Sequence, residues 1–177
     1  MDTELGGPSE PPSQRNHTHP IGLWLAEAHP APAGPWLDWR RGGSIAVLPT
    51  GERFDAVRMP GDLVHAAVGA TDHATVSGAL AAALAGPVIC DTRWFYALVP
   101  PRTSERWTCG LARCLSTGAW LTVPRPDCTD DTGTGIHWCV PMAYPGRLCD
   151  PAAVDQLLQD GHERLTPAPC EFRRPAS

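Results

Sequence analysis

The chain has no lysine: all 14 of its basic side chains are arginine, set against 19 acidic ones for a formal charge of −5 over 177 residues. That balance argues against broad adhesion to nucleic acid, which rests on neutralising many phosphates, and leaves open only a local basic groove. No apolar run approaches the eighteen or more residues that cross a bilayer, so no membrane partner is expected. The opening MDTELGGPSEPPSQ has neither a basic segment nor an apolar one of the kind that directs export, and the expected location is the cytoplasm. Seven cysteines include no C-x-x-C pair, and an odd number without an export signal points to thiols rather than a disulfide framework. A glycine-rich phosphate loop is missing too, since Gly133-Thr134-Gly135 is too short to make one.

What the chain does have is length enough for one ordinary core, broken up by 20 prolines and 17 glycines into short elements. Residues 1–20 are nearly devoid of apolar side chains and read as a disordered tail. Residues 21–42 read as an arm: a short helix from Ile21 to Ala28, ended by Pro30, then PAPAGP as a linker into Trp36, Leu37 and Trp39. The domain proper spans 43–161, and 162–177 form a loose tail.

Within that domain SIAVL (Ser44–Leu48) is apolar on both faces and predicts a strand covered on both sides. Through Pro49-Thr50-Gly51-Glu52 it is expected to turn back as a hairpin onto Arg53–Met59. Alternation along RFDAVRM puts Phe54, Ala56 and Arg58 on one face and Arg53, Asp55, Val57 and Met59 on the other, which predicts a less covered strand. Asp62 and Asp72 are expected to cap helices, the second carrying Val76, Leu80, Ala83 and Leu84 at helical spacing and ending at Gly86-Pro87. Val88–Cys90 and the central strand Trp94–Val99 follow, joined by a tight turn, and then a helical turn or loop at Leu111–Leu115. GAWLTVPRPDCTDDTGTGIHWCVP reads as a second hairpin, Trp120–Val123 with Ile136–Val140, whose large loop carries Asp127, Asp130 and Asp131. Asp150-Pro151 opens a helix with Val154, Leu157 and Leu158 on one face and Gly161 as terminator. Hairpins and helices without strict strand–helix alternation give an α+β fold, mainly antiparallel, with Trp120 and either Trp94 or Phe95 buried.

Cys109, Cys114, Cys128, His137, Cys139 and Cys149 have the wrong spacing for a structural zinc site. His137 with Cys139, or Asp91 with Cys90, are the nearest candidates for nucleophile chemistry, in no familiar context. The aromatic set Trp94, Phe95, Tyr96, Trp107, Trp120 and Trp138 suits either a core or a base-stacking face.

GAWLTVPRPDCTDDTGTGIHWCVP, the Asp150-Pro151 helix and GPVICDTRWFYALVPP together resemble the bifunctional DNA primase/polymerase N-terminal domain of the archaeo-eukaryotic primase superfamily, especially its short actinobacterial relatives. The resemblance covers about Gly43–Gly161 and puts RFDAVRMP where that family carries its acidic metal-binding strand. Polymerising members have two acids one residue apart there and a histidine on the next strand pair. This chain has Asp55-Ala56-Val57-Arg58 and, at the histidine position, Arg93-Trp94-Phe95. The resemblance therefore implies the fold with a degenerate active site and no resident cofactor. The function it implies is a non-catalytic binding or regulatory module touching nucleotide or single-stranded nucleic acid weakly through Arg53, Arg58, Arg93 and Arg102. The alternatives are an active nucleotidyltransferase using magnesium or manganese, with Asp55 as the catalytic acid beside Asp91 and the loop aspartates, and a protein-interaction domain with an unknown protein partner.

Overall fold

The computed structural model describes residues 15–130 and 135–166, with side chains from residue 20 onward. Its helices are α1 (Arg15–Ala26), α2 (Ala33–Arg40), α3 (Gly61–Val68), α4 (His73–Leu84) and α5 (Pro151–Leu165). Its strands are β1 (Ile45–Pro49), β2 (Asp55–Pro60), β3 (Val88–Asp91), β4 (Trp94–Val99), β5 (Arg113–Leu115), β6 (Trp120–Pro124) and β7 (Ile136–Val140). The strands make a five-stranded antiparallel sheet, β5-β2-β4-β3-β7, and a two-stranded ribbon, β1-β6. The fold is α+β, as the pattern of elements predicts. None of the described helices is long and apolar enough to cross a membrane.

The central sheet is buried on both faces because its strands alternate two apolar sets. Val57, Met59, Phe95, Ala97 and Val99 pack under α3, α4 and α5. Phe54, Ala56, Ile89, Leu98 and Trp138 pack the other way, against α1, α2 and the inner face of the ribbon. The amino-terminal arm thus lids the second core through Ile21, Leu25 and Trp39. β4 is the middle strand, and β3–β4 form the expected hairpin around Thr92-Arg93, with Thr92 at positive φ.

Neither of the other expected hairpins exists. β1 pairs with β6, not β2, because Thr50 is tied across to the segment that leads into β6: its amide donates to the Ala119 carbonyl at 3.0 Å and its hydroxyl to the Ser116 carbonyl at 2.7 Å. Gly51, at φ +111, packs so closely on Thr117 that a β-carbon would meet it at 2.5 Å. The turn is docked rather than folded back. β6 and β7 likewise part company: the Arg125 amide extends the ribbon by donating to the Ser44 carbonyl, and β7 joins β3 at the edge of the large sheet. Being in a ribbon, β1 is covered on one side only, with Ala46 and Leu48 inward and Ile45 and Val47 exposed. Trp120 is 54 % exposed for the same reason, whereas Phe95 and Trp138 are buried. β2, expected to be the less covered strand, is instead nearly buried throughout, lying between β5 and β4.

Local chemistry explains the remaining differences. Pro35 falls in the first turn of α2, where no intrahelical amide donor is needed, so the proline-rich run opens a helix instead of spacing one. α1 begins at Arg15, inside the segment read as a tail, and residues 1–14 and 167–177 lie outside the described residues. Asp72 and Asp150 cap α4 and α5 by accepting from the Thr75 and Ala152 amides, while α3 starts after Pro60 with no side-chain cap. α4 ends one step early at Ala85, in left-handed conformation. Arg113–Leu115 is a strand because its backbone completes the free edge of β2.

Gly161 does not end α5, which runs to Leu165. It is buried where α5 crosses α3, and a β-carbon there would stand 2.2 Å from the Leu63 carbonyl oxygen. Alanine is favoured over glycine by about 1 kcal/mol in a helix interior, so Gly161→Ala separates packing from propensity. We expect urea unfolding to show a net loss of about 1–3 kcal/mol for Gly161→Ala. Gly78→Ala on α4, with nothing within 4 Å of the added carbon, should gain about 0.5–1 kcal/mol.

Candidate functional site

Alternation along β2 sends its two charged residues to opposite faces of the sheet. Asp55 points with Val57 and Met59 and is fully buried. Its carboxylate accepts hydrogen bonds from the Ser104 amide at 2.9 Å and the Ser116 hydroxyl at 2.8 Å, with the Cys114 thiol 3.9 Å away. Both of its oxygens are engaged within the protein, and it does not face Arg58.

Arg58 lies on the other face, half-buried, with its guanidinium carbon 4.2 Å from the centre of the Trp94 ring. Stacking of this kind holds a guanidinium flat while leaving its edge donors available. Among the described residues it makes no ion pair. It lines a cleft of about 270 Å³ between the large sheet and the ribbon, together with Asp91, Tyr96, Leu115 and Trp120. Antiparallel register builds this group: Arg58 stands opposite Tyr96 on β4, and Asp91 opposite Trp94. Burial raises the Tyr96 hydroxyl above its ordinary pKa, the Asp91 charge adds to that, and Arg58 opposes it. The hydroxyl is a proton donor at neutral pH. Trp120 stands at the rim, edge-on to His29 at 5.9 Å.

The other arginines singled out from the sequence lie elsewhere. Arg53 is exposed and ion-paired with Glu27 on the arm. Arg93 is exposed in the β3–β4 turn, where its carbonyl accepts from the Gly61 amide. Arg102 lines a separate groove beyond the end of β4. The four therefore do not converge on one surface. Of the loop acids, Asp127 pairs with Arg125, Asp130 is exposed, and Asp131 lies outside the described residues. Sequence reasoning missed the partnership of Arg58 with Tyr96 and Asp91. The signal was present in the alternation of Trp94 and Tyr96, but reading it required knowing that β2 pairs with β4.

His137 and Cys139 share a face of β7, near Ser77 and His73 on α4: the Ser77 hydroxyl is 3.2 Å from the Cys139 sulfur, and the two histidine rings are 5.0 Å apart. Among the described residues no group of three or more His, Cys, Asp or Glu side chains is arranged to hold a metal ion. Cys109, Cys114, Cys139 and Cys149 are free thiols, and burial pushes each of them up, Cys114 and Cys149 to about 12. Since the thiolate is the reactive form, these are poor nucleophiles at neutral pH.

In comparisons with known proteins, no family model, no curated protein and no solved structure matches the chain. Function has to be read from the clefts themselves.

The Asp55 charge is the second cause, after burial, of the high Cys114 value. Removing it by Asp55→Asn should favour the thiolate, so the pH at which Cys114 becomes alkylated by iodoacetamide falls while that of Cys149 stays put. Peptide mass spectrometry across pH 7–11 in the folded protein reads both sites; an unchanged Cys114 profile would show that the carboxylate does not act on it.

Proposed function

We propose that the chain is a non-catalytic, primase/polymerase-like module that binds the phosphate and base of a nucleotide, or of a single strand, in the cleft between ribbon and sheet. The observation that carries this reading is Arg58: a half-buried guanidinium stacked on Trp94, without an ion pair among the described residues, in a cleft that also presents Tyr96 and Trp120. Such a fork suits a phosphate, and an exposed tryptophan at the rim suits a base. A volume of about 270 Å³ is at the small end for ligand clefts. It fits one nucleotide unit rather than an enclosed pair of substrates.

The same strand supports the non-catalytic part of this reading. Two-metal phosphoryl transfer gathers several oxygen ligands around a pair of cations. Among the described residues Asp91 is the one carboxylate lining this cleft, it stands beside the Arg58 guanidinium, and Asp55 is engaged on the far side of the sheet. A guanidinium there repels a divalent cation and attracts an anion.

Fluorescence anisotropy with a labelled single-stranded oligonucleotide should show weak binding that fades with added salt. Arg58→Ala should reduce it about tenfold, the equivalent of losing one charge-assisted contact of about 1.5 kcal/mol, and Arg93→Ala should leave it unchanged. No primer extension is expected with magnesium or manganese. Manganese-dependent synthesis abolished by Asp91→Ala would replace this reading with the enzyme, and binding indifferent to Arg58→Ala would remove the cleft from it.

A further inference from the structure

A larger groove, of about 480 Å³, lies at the far end of β4, formed by the turn that follows that strand and the start of α5. Its walls include Pro100, Pro101, Arg102, Arg106, Trp107 and Pro151. Pro100 is about 14 Å along β4 from Tyr96 at the rise of an extended chain, so the groove is separate from the cleft that holds Arg58. The two guanidiniums have no ion pair or hydrogen bond among the described residues. Opposing charge comes from the exposed Glu105 on the same turn, from buried Asp55 beneath it, and from Asp150, which lines the groove and whose carboxylate accepts from the Ala152 amide at 3.0 Å.

The turn is built to hold its shape. Arg102 has left-handed backbone, φ 65 and ψ 13, a conformation that non-glycine side chains adopt at a cost and that recurs at ligand sites. Thr103 closes the turn by donating its hydroxyl to the Pro100 carbonyl at 2.6 Å, and the Arg106 amide donates to the Thr103 carbonyl at 3.0 Å. Beneath it the Ser104 amide is anchored on buried Asp55. Trp107 is fixed by donating its indole N–H to the Ala112 carbonyl at 2.9 Å. Two unpaired cations on a rigid, strained turn, beside an immobilised indole and proline walls, make a preorganised surface for an anion that carries a flat apolar body.

We propose that this groove is a second binding site, independent of the Arg58 cleft, for a phosphate monoester on a planar ring, with Arg102 and Arg106 holding the phosphate and Trp107 and the prolines flanking the ring. A nucleoside monophosphate has that chemistry. Asp55 acts here as a positioning residue, holding from below the turn that carries both arginines.

The test is a titration of the full chain with AMP, followed by amide chemical shifts, with adenosine and inorganic phosphate as partial ligands. AMP should move the signals of residues 102–107 saturably, and more tightly than either partial ligand. In an Arg102→Gly/Arg106→Ala variant, where glycine accepts the left-handed backbone, AMP affinity at those signals should fall at least tenfold. It should be unchanged in Arg58→Ala, which separates this site from the cleft whatever becomes of the cleft. If the double variant does not fold, Arg102→Lys/Arg106→Lys keeps the charges and removes the planar forks, and a loss of several-fold is expected. Shifts confined to the cleft, groove shifts insensitive to the substitutions at Arg102 and Arg106, or phosphate alone binding as tightly as AMP would each overturn the proposal.

Discussion

A carboxylate removed from water at the start of an inner strand has to be satisfied where it stands, because an isolated buried charge is prohibitively unfavourable. Asp55 meets that requirement with two donors from distant parts of the chain, the Ser104 amide after β4 and the Ser116 hydroxyl after β5. Those two hydrogen bonds position both segments. Ser116 leads into the turn against which Thr50 and Gly51 dock, and so into the ribbon; Ser104 sits in the turn that bears Arg102 and Arg106. One acid thereby coordinates the ribbon, the edge strand β5 and the groove, and its demand for partners selects this arrangement over others in which the same apolar surfaces could be buried.

The sheet has a division of labour between its faces. The helical side is closed: α3, α4 and α5 cover it with aliphatic side chains. The other side is covered by a narrower layer, the arm and a two-stranded ribbon, which leaves an opening over β2, β3 and β4. Arg58, Asp91 and Tyr96 collect at that opening and line the cleft. The position of the cleft is thus a consequence of layer width.

How much of this was legible in the sequence depends on the range of the interaction. Caps at Asp72 and Asp150, the β3–β4 hairpin and the alternation in RFDAVRM are local, and each is found in the structure. Strand partners were misjudged wherever the chain departs from pairing neighbours, which is the commoner arrangement. SIAVL looked buried on both faces because composition does not reveal that its sheet has only two strands. Gly161 looked like a terminator because a glycine needed for a close crossing and a glycine that stops a helix read alike. Asp55 entered the alternative enzyme reading as the catalytic acid because its partners, 49 and 61 positions away, could not be seen from the sequence. The opposition of Arg58 and Asp55 could be read, and the neighbours of Arg58 could not.

The crossing at Gly161 also fixes the helical phase of α5. Each residue advances a helix by about 100°, so the bare backbone faces Leu63 in one rotational setting alone. Inserting a single residue anywhere between the cap at Asp150 and Asp160 would bring Asp160 to the contact, setting a carboxylate against a carbonyl oxygen where there is no room even for a methyl group. Compensation by sliding is blocked as well, because the Cys149 amide just before the helix donates to the Leu98 carbonyl on β4 at 2.8 Å and Arg164 grips the carbonyls of Ala66 and Ala67 at the other end. Length variation among descendants of this chain should therefore spare the interior of α5 and accumulate in the connections around it.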